Sequence, residues 1–148
     1  MLGVAVLAIL LAPAEILKVE HLAVPAPSGY ILEKKSGPDF AVYYVHPKQQ
    51  STPVLGLYLG NFASSFAPRD ATRPTSFRLG RKTTKWRLWQ TSEGGVTEYH
   101  AEALLVKPFG TEPEYSTQFH LFLAAPTAAD LAALQEMAAS IRPISAEK

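Results

Sequence analysis

The sequence predicts an α+β fold, made mainly of antiparallel β-strands with one C-terminal helix packed on the sheet. Three observations support this prediction. Short β-prone runs recur along the chain and are separated by glycine and proline turn signals. Gly94 and Gly95 lie between two longer runs, as in a hairpin with a two-residue loop. A helical pattern occurs near the C-terminus, where Leu131, Leu134, Met137 or Ala138, and Ile141 recur at three-to-four spacing.

The composition limits the class of protein. A chain of 148 residues is one domain by size and can bury a core. Its 47% apolar and 18% charged residues exclude a disordered tail. The net charge of +1 provides no overall field toward DNA or an acidic membrane. Because cysteine is absent, a disulfide framework, a thiolate zinc site and a cysteine nucleophile are excluded.

The N-terminus resembles a secretory signal. Residues 2–12 (LGVAVLAILLA) form an apolar run that is too short to span a bilayer as a helix. Ala12 and Ala14 supply small residues at the −3 and −1 positions of a signal-peptidase site. We therefore predict a signal peptide over residues 1–14, an exported (periplasmic or secreted) domain over 15–148, and no stable membrane span. No lysine or arginine precedes the run, so a buried first element in a cytoplasmic protein stays open as the alternative.

The strands follow from β-prone runs bounded by turn residues. The run at 54–59 (VLGLYL) is almost wholly apolar, which is typical of a central strand covered on both faces. Residues 61–77 show no periodicity, and an irregular connection of that length is uncommon, so we predict a functional loop there. The predicted strands are residues 16–24, 30–34, 40–45, 54–59, 82–91, 96–106 and 116–125.

The C-terminal helix has signals at both ends. Thr127 is a favourable N-cap, and Asp130 places a negative charge in the first turn, where it suits the helix dipole. Pro143 cannot continue the helix and is predicted to stop it.

The Gly94-Gly95 loop also predicts the pairing of the hairpin that it closes. If Glu93 faces Val96, then Arg87 faces Glu102 and Trp89 faces His100 on one side of the sheet, here called the outer face. A basic strand thus lies against an acidic one, and each opposed pair of charges contributes about 0.2–1 kcal/mol.

The opposite side of the hairpin is predicted to face the core. There Trp86 would oppose Ala103, and Thr84 would oppose Leu105. Matching the apolar residues of the strand at 116–125 to this side places Phe122 beside Glu102 on the outer face.

The outer face would then carry several apolar side chains among its charges. Trp89, Leu104, Val106 and Phe122 make it too apolar to be fully wet. Either another element covers this face, or it is a surface for a ligand or partner.

Half of the basic residues lie in one stretch. Seven of the fourteen lysines and arginines fall between Arg69 and Arg87, where Asp70 is the sole acid. A solvated edge strand is the simplest interpretation, since such edges often carry lysine. An anion-binding rim is the alternative. A nucleic-acid surface is not expected, because it would normally show a wider basic face and a recognisable motif.

No catalytic motif is present. Glu98, His100 and Glu102 alternate along one strand, about 6.5–7 Å apart, and form a salt-bridge row more readily than a metal site. We assign no metal, cofactor or catalytic residue. Ser65 and Asp70 lie in the irregular loop, so a small hydrolase built around residues 61–77 is the alternative function.

The order of several segments is similar to that of the PsbP superfamily. These segments are SGYILEKKSGPDFAVYYV, VLGLYLGNF, KWRLW, FHLFLAA and TAADLAALQEMAASIRP. The superfamily includes the photosystem II extrinsic protein, its bacterial relatives and a Ran-GTPase-binding protein. The resemblance implies an antiparallel sheet between helices, an α/β/α sandwich, and a binding or assembly role without catalysis.

The function predicted from these features is an exported, non-catalytic binding or assembly module. Its partner would be a protein or a small anionic ligand, held by the sheet face and the 61–77 loop. Homodimerisation through the apolar outer face is a third hypothesis. The predicted partner-binding residues are Arg78, Arg81, Lys85, Trp89, His100 and Phe122.

Overall fold

A computed structural model describes residues 14–112 and 116–144. The predicted signal peptide therefore lies outside the described residues, apart from Ala14 in the first strand. The first five strands are β1 (Ala14–Val19), β2 (Leu22–Pro27), β3 (Tyr30–Ser36), β4 (Ala41–Pro47) and β5 (Val54–Gly60). They are followed by β6 (Ser76–Leu79), β7 (Lys82–Lys85), β8 (Arg87–Glu93), β9 (Val96–Val106) and β10 (Gln118–Ala125). The helix α1 (Ala128–Ala139) and the short strand β11 (Arg142–Pro143) complete the described chain.

Six of the strands form one antiparallel sheet in the order β3-β4-β5-β10-β9-β8. Strand β5 is central, as its apolar sequence predicts, with β4 on one side and β10 on the other. A small sheet (β1-β2-β11) and the β6–β7 hairpin complete the structure. The predicted α+β class, an antiparallel sheet with a C-terminal helix packed on it, is confirmed.

Helix α1 covers one face of the sheet and defines the core. Leu131, Leu134 and Ala138 form its buried stripe, and Phe119 and Leu121 are fully buried among the sheet residues of the same core. The predicted N-cap is confirmed, because the Thr127 hydroxyl accepts a hydrogen bond from the N–H of Asp130 at 3.0 Å. The helix ends at Ala139, before Pro143, and Ile141 is buried beyond the helix end.

The predicted register around the Gly94-Gly95 turn is confirmed. Arg87 faces Glu102, Trp89 faces His100, and Glu93 faces Val96. The neighbouring strand also has the predicted alignment, with Phe122 beside Glu102.

The basic strand predicted over residues 82–91 is broken, and this part of the prediction is wrong. Residues 82–85 turn away to pair with β6, so Thr84 faces Phe77 and not Leu105. Gly80, whose φ of +57° suits glycine, allows the tight turn that joins β6 to β7. The predicted irregular loop correspondingly ends at residue 75.

Trp86 lies at this break and outside the ladder with β9. The backbone N–H of Trp86 donates to the Thr75 carbonyl at 3.1 Å, and the indole ring stacks on Phe77 with centroids 4.3 Å apart. The residue is only 3% exposed, so its inward orientation is as predicted. Its partners belong to the β6–β7 hairpin, which it anchors to the sheet.

An irregular segment covers part of the outer face. Residues 61–75, here called the cover segment, cross it between β5 and β6. Among residues 14–112 and 116–144 there is no second helix, so the described chain does not form the α/β/α sandwich that the resemblance implies. The same residues contain no helix with the length and apolar character needed to cross a membrane.

Candidate ligand-binding site

Glu102 attaches the middle of the cover segment to the sheet, and a backbone bridge between Thr72 and Leu88 attaches the segment nearer its end. The Glu102 carboxylate projects from β9 on the outer face, yet the residue is only 2% exposed. The Ser65 hydroxyl donates to Oε1 at 2.5 Å, the N–H of Ala67 donates to Oε1 at 3.1 Å, and the N–H of Phe66 donates to Oε2 at 2.9 Å. Three successive residues of an irregular segment thus satisfy one buried carboxylate.

Two basic side chains of the sheet complete the surroundings of Glu102. His120 on β10 lies with Nε2 at 3.0 Å from Oε2, and Arg87 on β8 lies with Nη1 at 3.6 Å from Oε1. Arg87 also donates from Nη1 to the Ser65 hydroxyl at 3.2 Å and from Nη2 to the Pro68 carbonyl at 3.0 Å. It therefore joins the sheet to the cover segment at two further points.

These contacts determine the charge of Glu102. Burial by itself would raise the pKa of this carboxyl, because desolvation disfavours the anion. Hydrogen bonds from His120, from the Ser65 hydroxyl and from the N–H groups of Phe66 and Ala67 outweigh that effect and lower the pKa to about 2. Glu102 is thus an anion at neutral pH, fully engaged by its neighbours.

The lowered pKa of Glu102 predicts a loss of stability in acid. The stabilisation is fully present above pH 4.5, the usual pKa of the group, and is lost as the pH falls toward 2. The expected loss in the free energy of unfolding is on the order of 3 kcal/mol. Urea unfolding between pH 6 and pH 2 should show a loss of stability that is larger in the native protein than in Glu102→Gln by about this amount.

A second carboxyl, Glu20, also has a lowered pKa, because the Tyr43 hydroxyl donates to it. The native protein and Glu102→Gln both retain Glu20, so its contribution to the loss of stability in acid cancels when the two are compared. Equal losses for the native protein and Glu102→Gln would contradict the assignment to Glu102.

Aromatic packing holds the cover segment across the middle of the outer face. The Phe66 ring stacks on His120 with centroids 5.5 Å apart and meets Phe122 edge-on, also at 5.5 Å. Phe122 lies over Gly56, where a Cβ would approach its ring to 2.0 Å. Glycine at this position of β5 is thus required by the close approach of the aromatic ring.

On one side of this crossing lies a cationic cavity of about 390 Å³. Arg73, Lys85 and Arg87 contribute positive charge, and Glu102 is the one carboxylate among its lining residues. The side chains of Arg73 and Lys85 form no hydrogen bond or ion pair with any residue in the described part of the chain. Their charges are therefore available to a ligand.

On the other side lies an aromatic cavity of about 320 Å³. Trp89 and His100 stack nearly parallel there, with ring centroids 5.2 Å apart and planes 8° from parallel. Phe66 and Phe122 contribute to the same lining. None of the described residues that line this cavity is a lysine, an arginine or a carboxylate, so it suits an apolar or aromatic group.

The structure brings together some of the six residues predicted to bind a partner. Trp89, His100 and Phe122 line the aromatic cavity, and Lys85 lines the cationic cavity. Arg78 and Arg81 line neither. The Arg78 guanidinium donates to the Gly80 carbonyl at 3.1 Å, so this side chain contacts the turn of its own hairpin.

Sequence reasoning did not find the attachment of the cover segment to Glu102 or the placement of Arg73 beside Lys85. One signal was available. A carboxylate predicted to face Phe122 on an apolar surface needs several donors. The sequence could not identify those donors, because they lie 35 to 37 residues away in an aperiodic segment.

The arrangement of Ser65, Glu102 and His120 differs from that of a hydrolytic triad. In a triad the histidine lies between serine and acid and removes the serine proton. Here the carboxylate lies between the other two side chains, and its low pKa makes it a weak base. Over residues 14–112 and 116–144, no group of three His, Cys, Asp or Glu side chains could hold a metal ion.

Comparison of the chain with protein-family models, with curated proteins and with solved structures finds no match. The fold and the site describe an α+β domain that has a partly covered sheet face and two adjoining cavities. The resemblance to the PsbP superfamily remains a prediction from segment order.

Proposed function

We propose that this protein is a non-catalytic binding module that holds an anionic ligand, or an acidic group of a protein partner, in the cationic cavity. The observation that carries the proposal is the unneutralised charge of Arg73 and Lys85 around a cavity whose one carboxylate is already engaged. Opposite charge in a partly enclosed site attracts such a ligand and orients it.

The size and position of the cavity agree with this function. About 390 Å³ lies within the usual range of small-molecule sites, roughly 300–1,000 Å³. The cavity lies between a sheet and an irregular segment, where binding residues are commonly found. The adjoining aromatic cavity offers a second contact for a larger partner.

Reversing a cavity charge is expected to abolish anion binding. Lys85→Glu and Arg73→Glu should each weaken the binding of citrate, phosphate or a hexa-aspartate peptide at least tenfold in isothermal titration calorimetry, because each replaces an attraction with a repulsion. Both side chains are exposed, so the fold should be retained.

Arg78→Glu is the matched control. It makes the same change in net charge on a residue that lines neither cavity, so its affinity should stay near that of the native protein. Equal losses in all three variants would indicate a general charge effect, and no binding by the native protein would refute the proposed function.

The alternative function is a small hydrolase around residues 61–77. The position of Ser65 near His120 and Glu102 favours this function. The serine hydroxyl donates to Glu102, however, and so does not donate to the histidine that would have to remove its proton. A screen against ester, phosphate and glycoside substrates distinguishes the two functions. Turnover that disappears in Ser65→Ala would replace the binding proposal with the catalytic one.

We also propose that the module is exported. The support is the apolar run at residues 2–12 followed by a small-residue cleavage site, and the proposed first residue of the mature protein is Glu15. N-terminal sequencing of protein from its native cell tests this, since Met1 as the first residue would refute it.

A further inference from the structure

We infer that the ligand of the cationic cavity is a phosphomonoester with a compact and partly apolar organic portion. This inference deepens the proposed anion-binding function and depends on it. Two features of the cavity, its charge and its free donors, favour a phosphoryl group over a carboxylate. A third feature, its apolar wall, indicates the organic portion.

The charge of the cavity matches a dianion. Arg73, Lys85 and Arg87 supply three positive charges, and the Glu102 carboxylate compensates one of them. The two positive charges of Arg73 and Lys85 remain without a partner in the described part of the chain. A phosphomonoester carries about −1.5 to −2 at neutral pH and neutralises these two charges, whereas a monocarboxylate neutralises one of them.

The free donors surround the cavity and outnumber the oxygens of a carboxylate. Arg73 lies on the cover segment and Lys85 on β7, so they approach from different elements. The hydroxyls of Ser64 and Thr84 also line the cavity and form no side-chain hydrogen bond with a described residue. A phosphoryl group presents three strongly accepting oxygens, which can use an arginine fork, an ammonium and a hydroxyl together.

The apolar wall indicates an organic portion attached to the phosphoryl group. Leu104 lines the cavity, and the residue is 48% exposed on the outer face. Val106, on the same face of β9 two residues further along, is 56% exposed. A bare ion would fill a small part of 390 Å³ and would leave this apolar surface in water. An alkyl or aryl group beside Leu104 would remove apolar surface from water.

The same phosphoryl chemistry could come from a small metabolite or from a phosphorylated side chain of a protein. We propose titration calorimetry of the full chain at constant ionic strength and pH 7.5. The probes are hexyl phosphate, hexanoate, inorganic phosphate and a short phosphoserine peptide with its unphosphorylated form. Hexyl phosphate should bind at least tenfold more tightly than hexanoate, which has a similar alkyl chain, and more tightly than inorganic phosphate.

Variants test whether the binding site is the cationic cavity. Lys85→Ala should weaken the binding of hexyl phosphate about tenfold. Thr84→Val removes a hydroxyl at nearly constant volume and should weaken that binding several-fold. Arg78→Ala serves as the control and should leave the affinity unchanged, since Arg78 lies outside the cavity. Loss of affinity in the control equal to that in Lys85→Ala would overturn the assignment to this cavity.

The other outcomes of the calorimetry test this inference and the proposed function separately, and they identify the source of the phosphoryl group. Hexanoate binding as tight as hexyl phosphate would overturn the phosphoryl inference and leave the anion-binding function standing. No binding of any probe would overturn both. Tighter binding of the phosphoserine peptide than of hexyl phosphate would support the inference with a protein as the source, and the reverse order would support it with a small molecule.

Discussion

Replacing Glu102 with alanine is expected to destabilise the protein by about 3–5 kcal/mol, as for other changes that remove one partner of a buried ion pair. The substitution leaves His120 and the N–H groups of Phe66 and Ala67 without their acceptor. Arg87 would also lose its carboxylate partner, although its Nε already lacks a hydrogen-bond partner among the described residues.

The expected structural consequence is local detachment of the cover segment at residues 65–67, which donate to Glu102. The backbone bridge between Thr72 and Leu88 still holds the segment nearer its end, so the change should be confined to the part that lies between the cationic and aromatic cavities. Urea unfolding measures the loss of stability, and amide hydrogen exchange at residues 66 and 67 measures the detachment.

Glu98→Ala is the matched control, because Glu98 lies on the same strand and the same face. Its side chain is 40% exposed and, within the described part of the chain, forms one ion pair, with His100 at 3.3 Å. Loss of such an exposed pair costs about 1 kcal/mol or less. If both alanine variants lose the same small amount of stability, the donors around Glu102 contribute less than their geometry indicates.

Replacing Trp86 with alanine should also cost about 3–5 kcal/mol, the usual range for removal of a buried large aromatic side chain. Trp86 is 3% exposed and stacks on Phe77 at 4.3 Å, which is how the β6–β7 hairpin packs against the core. The cavity left by the indole lies between two separately hydrogen-bonded units and cannot be filled without moving the hairpin.

The second tryptophan offers a control with the same chemical change. Trp89→Ala removes a half-buried ring that stacks on His100 at the outer face, so the expected loss is smaller. Urea unfolding of the two variants should rank Trp86→Ala as clearly the less stable protein. Equal stability, or a lower stability of Trp89→Ala, would contradict the assignment of Trp86 to the core.

The consequence for ligand binding differs between the two tryptophans. Lys85 immediately precedes Trp86 and lies on the hairpin that the indole anchors. Loss of Trp86 should therefore weaken anion binding as well as stability, through displacement of Lys85. Trp89 lines the aromatic cavity and not the cationic one, so its loss should leave the binding of inorganic phosphate unchanged.

Much of the fold follows from local sequence patterns. The register of β8 against β9 depends on two adjacent glycines and on alternating polarity, since a slip of one residue would exchange the faces of the sheet. The alignment of β10 follows from Phe119, Leu121 and Leu123, which can be buried in one phase only. The helix follows from its cap and its apolar stripe.

The tertiary structure decided where the aperiodic residues go. The sequence of the basic stretch fits one long strand as well as two short ones, and the break at Trp86 depends on pairing with β6. The cover segment has no periodicity by which to place it, and its position depends on the donors that the buried Glu102 requires, on the packing of Phe66 and on the Thr72–Leu88 bridge. Such a requirement arises only after the sheet has formed, because the carboxylate loses water when distant parts of the chain meet.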